Sequence, residues 1–479
     1  MNNKDLFGNS VESSMENTIV NALSEMSSET MFDDQETQKD HVETSDEIQD
    51  NVKQDDFEAS VGMSRKWDAR EAGREVAENT LKKLKHKPTF FLLFSTIHYE
   101  KHGGFQEFLN GVWDVLPEGT PLIGGTVAGF MNPEGCFMHG ASALAVTYPN
   151  MDVAIGIGHN TKRNPKKSAL KCAKMIKNGL EQSKYENNFI LGLISGGIIP
   201  QIPGMGRKRV IKGFSGKISV NLTNFSTKFL QKGIAREDEI LEIFTNQLKN
   251  WKILGGSLMD DMNFLTNYQF CNNDIFKNSI ISIGVKTDLN IDVSMSHGMK
   301  ETDIQFQITK LSRDKRFIHE INGKPALDEL LKLLNWPKNE VDENMYKRTF
   351  YYPFRFVKNG NEMPGVILMV LNNTLLVSYQ IDNQKVGILT TNGNDLISVV
   401  NDTLRKYDYN KTKFGFFVSC ATRLETLSKN IYIVRNKMLD NFEDKPFLLI
   451  YTNGESTYTP DRGLICCNDT FNSAVFLEN

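Results

Sequence analysis

The sequence lacks a membrane-spanning run, a cysteine framework and a secretory signal. Its apolar runs, such as FFLLF from Phe90, are far shorter than the ~20 residues that a spanning helix requires. Its six cysteines show no framework spacing and no C-x-x-C pair, as is usual in a reducing compartment. The start, MNNKDLFGNS, has neither the basic nor the apolar region of a signal peptide. These absences predict a cytoplasmic protein with no membrane partner.

The chain also lacks a strong excess of either charge, because its formal net charge is −4 over 479 residues. Residues 1–60 contain 16 Asp or Glu and 3 Lys, which leaves +9 for residues 61–479. That charge on so long a chain does not indicate a nucleic-acid partner, and we expect none. Residues 1–66 contain too few apolar residues to offset the entropy of ordering, so they are predicted to form a disordered acidic tail.

The remaining chain is long enough for two domains, which we place at residues 67–318 and 319–479. The order strand, helix, strand, hairpin occurs three times in it, beginning at FFLLFST, at NNFILGLIS and at FGFFVSCATR. Continuous apolar runs that end in small hydroxyl residues are typical of buried strands. The predicted fold is therefore a two-lobed α/β protein with mixed central sheets built from this repeated unit.

Buried strands end at glycine and a small hydroxyl residue in PLIGGT and in KILGGSLMDD. Ligands of α/β sheets bind beyond the carboxyl ends of the strands, where glycine allows close backbone approach and amide groups can hold an anion. Following aspartates would hold an ammonium group, so the pattern suits an amino acid. The alternative is that the glycines only turn the chain and the aspartates face water. The predicted ligand-binding residues are Gly124, Gly125, Thr126, Gly255, Gly256, Ser257, Asp260 and Asp261.

Five phrases resemble the FIST-domain family, in the family's order, from about residue 85 to the end: GGSLMDDMNFLTNYQF, SHGMKETDIQFQITKL, INGKPALDELL, FFVSCATR and TNGESTYTPDRGLICCNDT. The resemblance covers the amino-terminal and the carboxy-terminal FIST modules. It implies a sensory module that binds a small polar ligand, such as an amino acid, and takes part in signal transduction. It does not imply catalysis, and we expect no cofactor and no metal.

The resemblance extends to single positions. The matching residues are Gly255, Gly256, Ser257, Asp260, His297, Gly298, Pro325, Ala326, Cys420, Arg423, Gly454 and Glu455. Of these, His297, Cys420, Arg423, Gly454 and Glu455 complete the predicted ligand-binding set. The sequence departs from the family in GGTVAGFM, where Phe130 replaces an acidic residue, and this predicts a changed or vestigial site there.

Other patterns suggest rival chemistry. Cys420 at a strand-to-helix turn would be a nucleophile if Arg423 lowered its pKa and His297 acted as base; the alternative is a buried small residue. His98 and His102 in HYEKH lack a third ligand, so we predict no metal site. Two basic segments, NPKKSALKCAKMIKNGL and GMGRKRVIKGFSGK, are interpreted as a solvated helix face and a mobile surface loop with a lid role.

The sequence favours a cytoplasmic sensor of a small polar metabolite. No kinase, cyclase or chemoreceptor pattern is attached, so its output would pass through a partner protein or through the acidic tail. The first alternative is a cysteine-dependent hydrolase or transferase that uses Cys420. The second is a scaffold without a ligand, whose glycine loops are structural and whose tail recruits partners.

Overall fold

The computed structural model describes residues 57–201, 206–212, 216–358 and 360–479. The described residues belong to one compact unit. Most of the predicted acidic tail lies outside them. The predicted boundary of the tail was too late, because a strand begins at Glu58. Its small and polar residues give little sequence signal, and pairing with a distant strand, Ala141–Thr147, holds it in place.

The first repeat contains six strands and two helices. The apolar residues after Trp67 recur at helical spacing and form a helix, which Asp68 caps by accepting a hydrogen bond from the Glu71 N–H group. In chain order the elements are β1 (Glu58–Ser64), α1 (Ala69–Leu81), β2 (Phe90–Ser95), α2 (Phe105–Trp113), β3 (Leu122–Thr126), β4 (Gly129–Asn132), β5 (Gly135–Phe137) and β6 (Ala141–Thr147).

The second repeat has the same order with an insertion after its second strand. Its elements are β7 (Met151–His159), α3 (Pro165–Gly179), β8 (Asn187–Ser195), the inserted β9 (Val210–Ile211), α4 (Gly216–Phe225) and a π-helical turn (Ser226–Leu230), and then α5 (Glu237–Gln247), β10 (Lys252–Leu258), β11 (Gln269–Cys271), β12 (Asp274–Phe276) and β13 (Ser279–Thr287).

The third repeat is interrupted by a long insertion after its first strand, β14 (Asn290–Ser296). The inserted elements are β15 (Lys300–Leu311), β16 (Phe317–Ile321), β17 (Lys324–Pro325), α6 (Ala326–Leu333), α7 (Met345–Arg348), β18 (Phe354–Lys358), β19 (Asn361–Gly365), β20 (Ile367–Leu371), β21 (Thr374–Val377) and β22 (Lys385–Thr390). The repeat resumes with α8 (Gly393–Leu404), β23 (Thr412–Cys420), α9 (Thr422–Leu427), α10 (Ile431–Phe442), β24 (Phe447–Thr452), β25 (Glu455–Thr459), β26 (Gly463–Cys467) and β27 (Phe471–Leu477).

Three six-stranded mixed sheets arise because each repeat gives its hairpin to another repeat. Their strand orders are β1-β6-β2-β3-β11-β12, β26-β25-β10-β8-β13-β7 and β14-β27-β23-β24-β4-β5. The inserted strands form a fourth, nine-stranded sheet. The mixed α/β fold built from repeated units is therefore confirmed. The boundary between residues 318 and 319 stays a prediction, although strands from both sides of it share three of the four sheets.

The largest hydrophobic cluster lies where the three sheets face one another. It includes Phe94 from β2, Leu193 from β8 and Phe416 from β23, each almost fully buried. Helices cover the outer faces, as in α/β proteins generally. Within the described part of the chain, no helix has both the length and the apolar character needed to cross a membrane.

Candidate functional site

The three repeats place a small polar side chain at one equivalent position. In each repeat, one central strand pairs with the last strand of the same repeat. This pairing ends at Ser95 in β2, at Ile194 in β8 and at Ser419 in β23. The residues that follow them are Thr96, Ser195 and Cys420, and all three are buried. The recurring hydroxyl residues of the sequence thus lie at buried strand ends.

The predicted glycines lie inside strands. Gly124 and Gly125 are in β3, between β2 and β11, whereas Gly255 and Gly256 are in β10, between β8 and β25. A Cβ atom at Gly124 would lie 1.7 Å from the carbonyl oxygen of Leu93. One at Gly255 would lie 2.3 Å from a serine hydroxyl of β25. Close packing of strands is therefore one reason for these glycines, and ligand contact stays a prediction.

Thr126 and Ser257 connect the repeats. The Thr126 hydroxyl accepts a hydrogen bond from the Tyr268 N–H group at 3.0 Å. The Ser257 hydroxyl donates to Glu237 Oε1 at 2.9 Å, and its N–H group donates to the Gly454 carbonyl, also at 2.9 Å. The structure therefore brings together two predicted residues, Ser257 and Gly454, that lie almost 200 positions apart in the sequence.

The two predicted aspartates differ in role. Asp260 is buried, and its carboxylate accepts the N–H groups of Phe264, Leu265 and Thr266 at 2.8, 2.6 and 3.3 Å. Burial raises the pKa of Asp260, and these backbone hydrogen bonds oppose the rise. Asp261 is exposed and accepts a hydrogen bond from a neighbouring asparagine. The Asp260 carboxylate binds backbone N–H groups of its own loop, so an ammonium ligand would have to share the carboxylate oxygen atoms with these groups.

The third strand end is a cluster of buried acids around Cys420. Glu455 accepts hydrogen bonds from the hydroxyls of Thr452 and Thr470, both at 3.1 Å. Asp469, which gave no signal in the sequence, accepts one from the Thr422 hydroxyl through Oδ1. Its Oδ2 atom is buried and has no hydrogen-bond partner among the described residues. A buried polar atom without a partner indicates a position for water or a ligand.

Burial is the largest cause of the shifted pKa values in this cluster. It raises the pKa of Asp469 to about 7, although the Thr422 hydrogen bond and the Arg423 charge oppose the rise. It also raises the pKa of Glu455 and that of the Cys420 thiol well above their ordinary values, and neighbouring carboxyl groups add to both shifts. Cys420 is therefore a protonated thiol rather than a reactive thiolate.

His297 and Arg423 lie near this cluster but bond elsewhere. His297 Nδ1 accepts the Met299 N–H group at 3.0 Å, and its Nε2 atom lies 3.5 Å from a carboxylate oxygen of Glu362. Arg423 is buried and donates to the Leu396 carbonyl at 2.5 Å, while its Nη1 atom has no partner among the described residues. The arrangement that a cysteine-dependent reaction needs, a thiol paired with a histidine base, is not formed by these contacts.

Lys162 gave no signal in the sequence, where it stands among exposed basic residues. It is fully buried, and its ammonium group donates to Ser195 Oγ at 3.0 Å and to Asn278 Oδ1 at 2.9 Å. Burial lowers the pKa of Lys162 to about 7, and the nearby Glu237 opposes this shift. Only the pairing of β7 with β13 brings Lys162 beside Asn278, which no local pattern reveals.

The start of α5 forms a network of buried charges next to Ser257. Arg236 forms an ion pair with Glu239 at 2.6 Å and donates to the Lys162 carbonyl at 3.0 Å. Arg316 from the inserted sheet bonds Asp238 and lies 3.3 Å from Glu239. Three acidic residues stand together at positions 237–239 of the sequence, but Arg316, the partner of two of them, lies some 80 residues away.

A cavity of about 620 Å³ opens on the other side of this network. Its lining includes Asn224 and Thr227 from α4 and the π-helical turn, and Ser312, Arg313 and Arg316 from the inserted region. Its lining contains four Lys or Arg and two Asp or Glu, so its charge is net positive. Arg236 and Glu239 of the network thus line this cavity, and Glu237 beside them bonds Ser257 at a strand end.

Phe130 and His98, two residues considered in the sequence analysis, pack against other parts of the protein. Phe130 lies in the core on β4 and pairs with Ile450 of β24, so no acid-lined site forms at that residue. His98 lies in a short 3₁₀ helix and stacks on His139 with ring centroids 3.7 Å apart. Across the described ranges, no group of three or more His, Cys, Asp or Glu is placed to hold a metal.

Residues 89–324 match the FIST N domain, which confirms the resemblance for that part of the chain. The carboxy-terminal FIST module stays a prediction.

An uncharacterized protein of Methanocaldococcus jannaschii, MJ1623, is 24% identical over 264 residues, and the match covers 52% of this chain and 49% of that protein. Two solved structures show only weak similarity. Cyanuric acid hydrolase from A. caulinodans has a TM-score of 0.24 at 8% identity, covering 48% of this chain and 72% of that one. PurLQS from Thermotoga maritima has a TM-score of 0.18 at 11% identity, covering 89% and 73%.

Proposed function

We propose that this protein is a cytoplasmic sensor that binds a small polar ligand in the cavity bounded by Asn224 and Arg313, and that it signals through a partner protein. Membership of the FIST N domain family over residues 89–324 supports a small-ligand role. The observation that carries the proposal is the charged network at residues 236–239, which lines the cavity on one side and bonds Ser257 on the other. Occupancy of the cavity can therefore act on the strand ends.

The charges of the cavity favour a ligand that carries a carboxylate. Arg313 is exposed at the cavity wall and forms no ion pair with a described residue. Glu239 is already paired with Arg236 and Arg316, so it attracts a cation less strongly. An amino acid or a similar metabolite would place its carboxylate toward Arg313 and would not depend on Glu239 to bind a cation. The strand-end residues Ser257, Gly454 and Glu455 are then proposed to sense occupancy.

The cysteine-dependent alternative has less support. A reactive cysteine needs a lowered pKa and a base within hydrogen-bond reach. Burial raises the pKa of the Cys420 thiol, and His297 uses one nitrogen to accept the Met299 N–H group while the other faces Glu362. We therefore propose a role without catalysis.

The test is a thermal-shift screen of the full chain against amino acids and other small metabolites. A ligand at about 100 times its dissociation constant stabilises the folded state by about 2.7 kcal/mol. Asn224→Trp would fill the cavity and should abolish this shift. Asn273→Trp is the matched control, because Asn273 lines a different cavity of about 750 Å³ and should leave the shift intact.

Two outcomes would contradict the proposal in different ways. If no compound raises the melting temperature of the wild-type chain, the sensor role itself loses its support. If Asn224→Trp still responds to ligand while Ser257→Leu, folded like wild type, does not, the ligand binds at the strand ends as the sequence predicts. The sensor role would survive that second result, and only the cavity would be ruled out.

A further inference from the structure

Large apolar side chains project from α4 and the π-helical turn that follows it. Leu222, Phe225, Phe229 and Leu230 are 54%, 53%, 62% and 59% exposed, and the two phenylalanine rings stack with centroids 4.9 Å apart. The opposite side of the same segment is buried at Thr227 and lines the cavity. Clustered exposed residues of this kind mark an interaction surface.

Two basic segments meet beside these apolar side chains. Residues 160–180 contain seven Lys or Arg and residues 201–236 contain eight, and neither range contains an Asp or Glu. Arg163 joins them, because its guanidinium donates to the Lys228 carbonyl at 3.1 Å and to the Phe229 carbonyl at 2.8 Å. In the same place, Gln231 Nε2 donates to Asn160 Oδ1 at 2.8 Å.

The helix α3 therefore begins next to the segment that carries the apolar cluster. Lys166, Lys167, Lys171 and Lys174 are all exposed on this helix. Lys228 and Lys232 are exposed at the end of the other segment. The sequence suggested a solvated helix face and a separate surface loop, and the tertiary structure joins the start of the helix to the π-helical turn, so that both basic segments adjoin the apolar side chains.

We propose that this surface docks in plane on an anionic phospholipid membrane. The apolar side chains of Leu222, Phe225, Phe229 and Leu230 would enter the headgroup boundary, and the lysines would contact lipid phosphates. No spanning helix is needed, so the absence of an apolar run of membrane length does not oppose this contact. The sequence gave no reason to expect a membrane partner because it hides the joining of the two segments.

The chemistry favours a membrane over other polyanions and over a protein. Nucleic acid would satisfy the lysines but would gain nothing from exposed leucines, since its backbone is recognised by charge and its bases by aromatic stacking. A stable protein interface buries roughly 800 Å² on each partner, and four half-exposed side chains supply only part of that area. A bilayer surface matches both the small apolar cluster and the exposed lysines of the adjoining segments.

The experiment is cosedimentation of the full chain with large unilamellar vesicles. One set contains phosphatidylcholine with about 30% phosphatidylserine, and the other contains phosphatidylcholine alone. We expect binding to the anionic vesicles, at least about tenfold weaker binding to the neutral ones, and loss of binding in about 1 M salt. Equal binding to both vesicles, or no binding to either, would overturn the proposal.

Variants separate this surface from the rest of the molecule. Phe225→Ser with Phe229→Ser, and Lys166→Glu with Lys167→Glu, should each weaken vesicle binding by about tenfold or more. The matched controls are Ile433→Ser, at a residue 43% exposed on α10, and Lys429→Glu, at an exposed lysine nearby. Circular dichroism should show all four proteins folded.

Other binding results have a defined meaning. If the surface variants bind vesicles as the wild type does, the contact lies elsewhere and the proposal is wrong. If the chain binds single-stranded RNA through these lysines but ignores anionic vesicles, the surface recognises nucleic acid instead. The readout is vesicle binding without any small ligand, so it is independent of the proposed sensor role.

Discussion

The second and third repeats place opposite chemistry at the same position of one fold. At the end of β8, Ser195 accepts a hydrogen bond from the buried amine of Lys162. At the end of β23, Cys420 lies beside the buried carboxyl groups of Glu455 and Asp469. Burial lowers the pKa of Lys162 and raises that of Asp469, each to about 7. Topology thus decides where a buried polar group lies, and residue type decides how it titrates.

The largest expected effect comes from the buried arginines of the two regions. Arg316 bonds Asp238 and lies near Glu239, so Arg316→Met would leave buried acids unpaired and cost about 3–5 kcal/mol of unfolding free energy. Arg423 hydrogen-bonds only a carbonyl oxygen among the described residues, so Arg423→Met should cost about 1–3 kcal/mol. Urea denaturation measures both. Equal costs would show that the two regions rely equally on charge.

The control for this pair is Arg313→Met. Arg313 is exposed at the cavity wall, so its replacement should change the unfolding free energy by less than about 0.5 kcal/mol. A larger loss there would mean that any arginine of the inserted sheet matters, and the difference between the two buried arginines would lose its meaning.

The next largest effect is expected from alanine substitutions in the glycine phrases, which should cost more stability in the first repeat than in the second. Gly124→Ala would place a Cβ atom 1.7 Å from a backbone carbonyl oxygen, which cannot move without disturbing β2, so we expect a loss of about 3 kcal/mol. Gly256→Ala would meet side-chain carbon atoms at 3.0 Å, and these can shift, so we expect about 1 kcal/mol. Thermal denaturation of both variants tests this order. The reverse order would argue against strand packing as the cause.

The buried acid of the third repeat should make stability depend on pH. Because the folded pKa of Asp469 is raised from 3.8 to about 7, its protonated form stabilises the fold below pH 4, and this stability is lost as the pH rises through 7. Asp469→Asn should match the wild type most closely below pH 4, gain on it as the pH rises from 4 to 7, and exceed it by about 1–3 kcal/mol at pH 8. Asp261→Asn, at an exposed aspartate, is the control. A variant less stable than wild type at pH 8 would contradict this assignment.

The buried amine of the second repeat should give the opposite slope. Because the folded pKa of Lys162 is lowered from 10.5 to about 7, the unfolded chain binds an extra proton between these values, and stability rises with pH across that window. Lys162→Met should remove about 1–2 kcal/mol of this rise between pH 7 and pH 9. Unfolding free energies at the two pH values measure it. An unchanged slope in the variant would show that Lys162 keeps an ordinary pKa.

Local patterns predicted the elements but not their partners. The apolar runs FFLLF and FILGLI are strands, and the stripe of apolar residues after Trp67 is a helix, because burial on one face or two leaves a periodic signal. The strand at Glu58 was missed because its small residues carry no such signal. The exchange of hairpins between repeats was also missed, since pairing across more than a hundred residues has no local signature.

The sequence likewise predicted some residues of the candidate site and missed others. Ser257, Gly454, Cys420 and Glu455 were predicted from strand ends and family resemblance, and they do lie at buried strand ends. Lys162, Glu237 and Asp469 were not predicted, because a charged residue in a sequence gives no sign that it will be buried. Their altered pKa values follow from burial and are therefore properties of the tertiary structure alone.

The sequence by itself determined the repeated strand-helix-strand-hairpin unit and the FIST character of residues 89–324, because periodic burial and short motifs are local. The tertiary structure decided which repeat receives each hairpin and which charges become buried. It also decided that two basic segments form one surface around Phe229. Those outcomes depend on pairing between distant strands and on contacts such as Arg163 with Phe229, which no stretch of sequence contains.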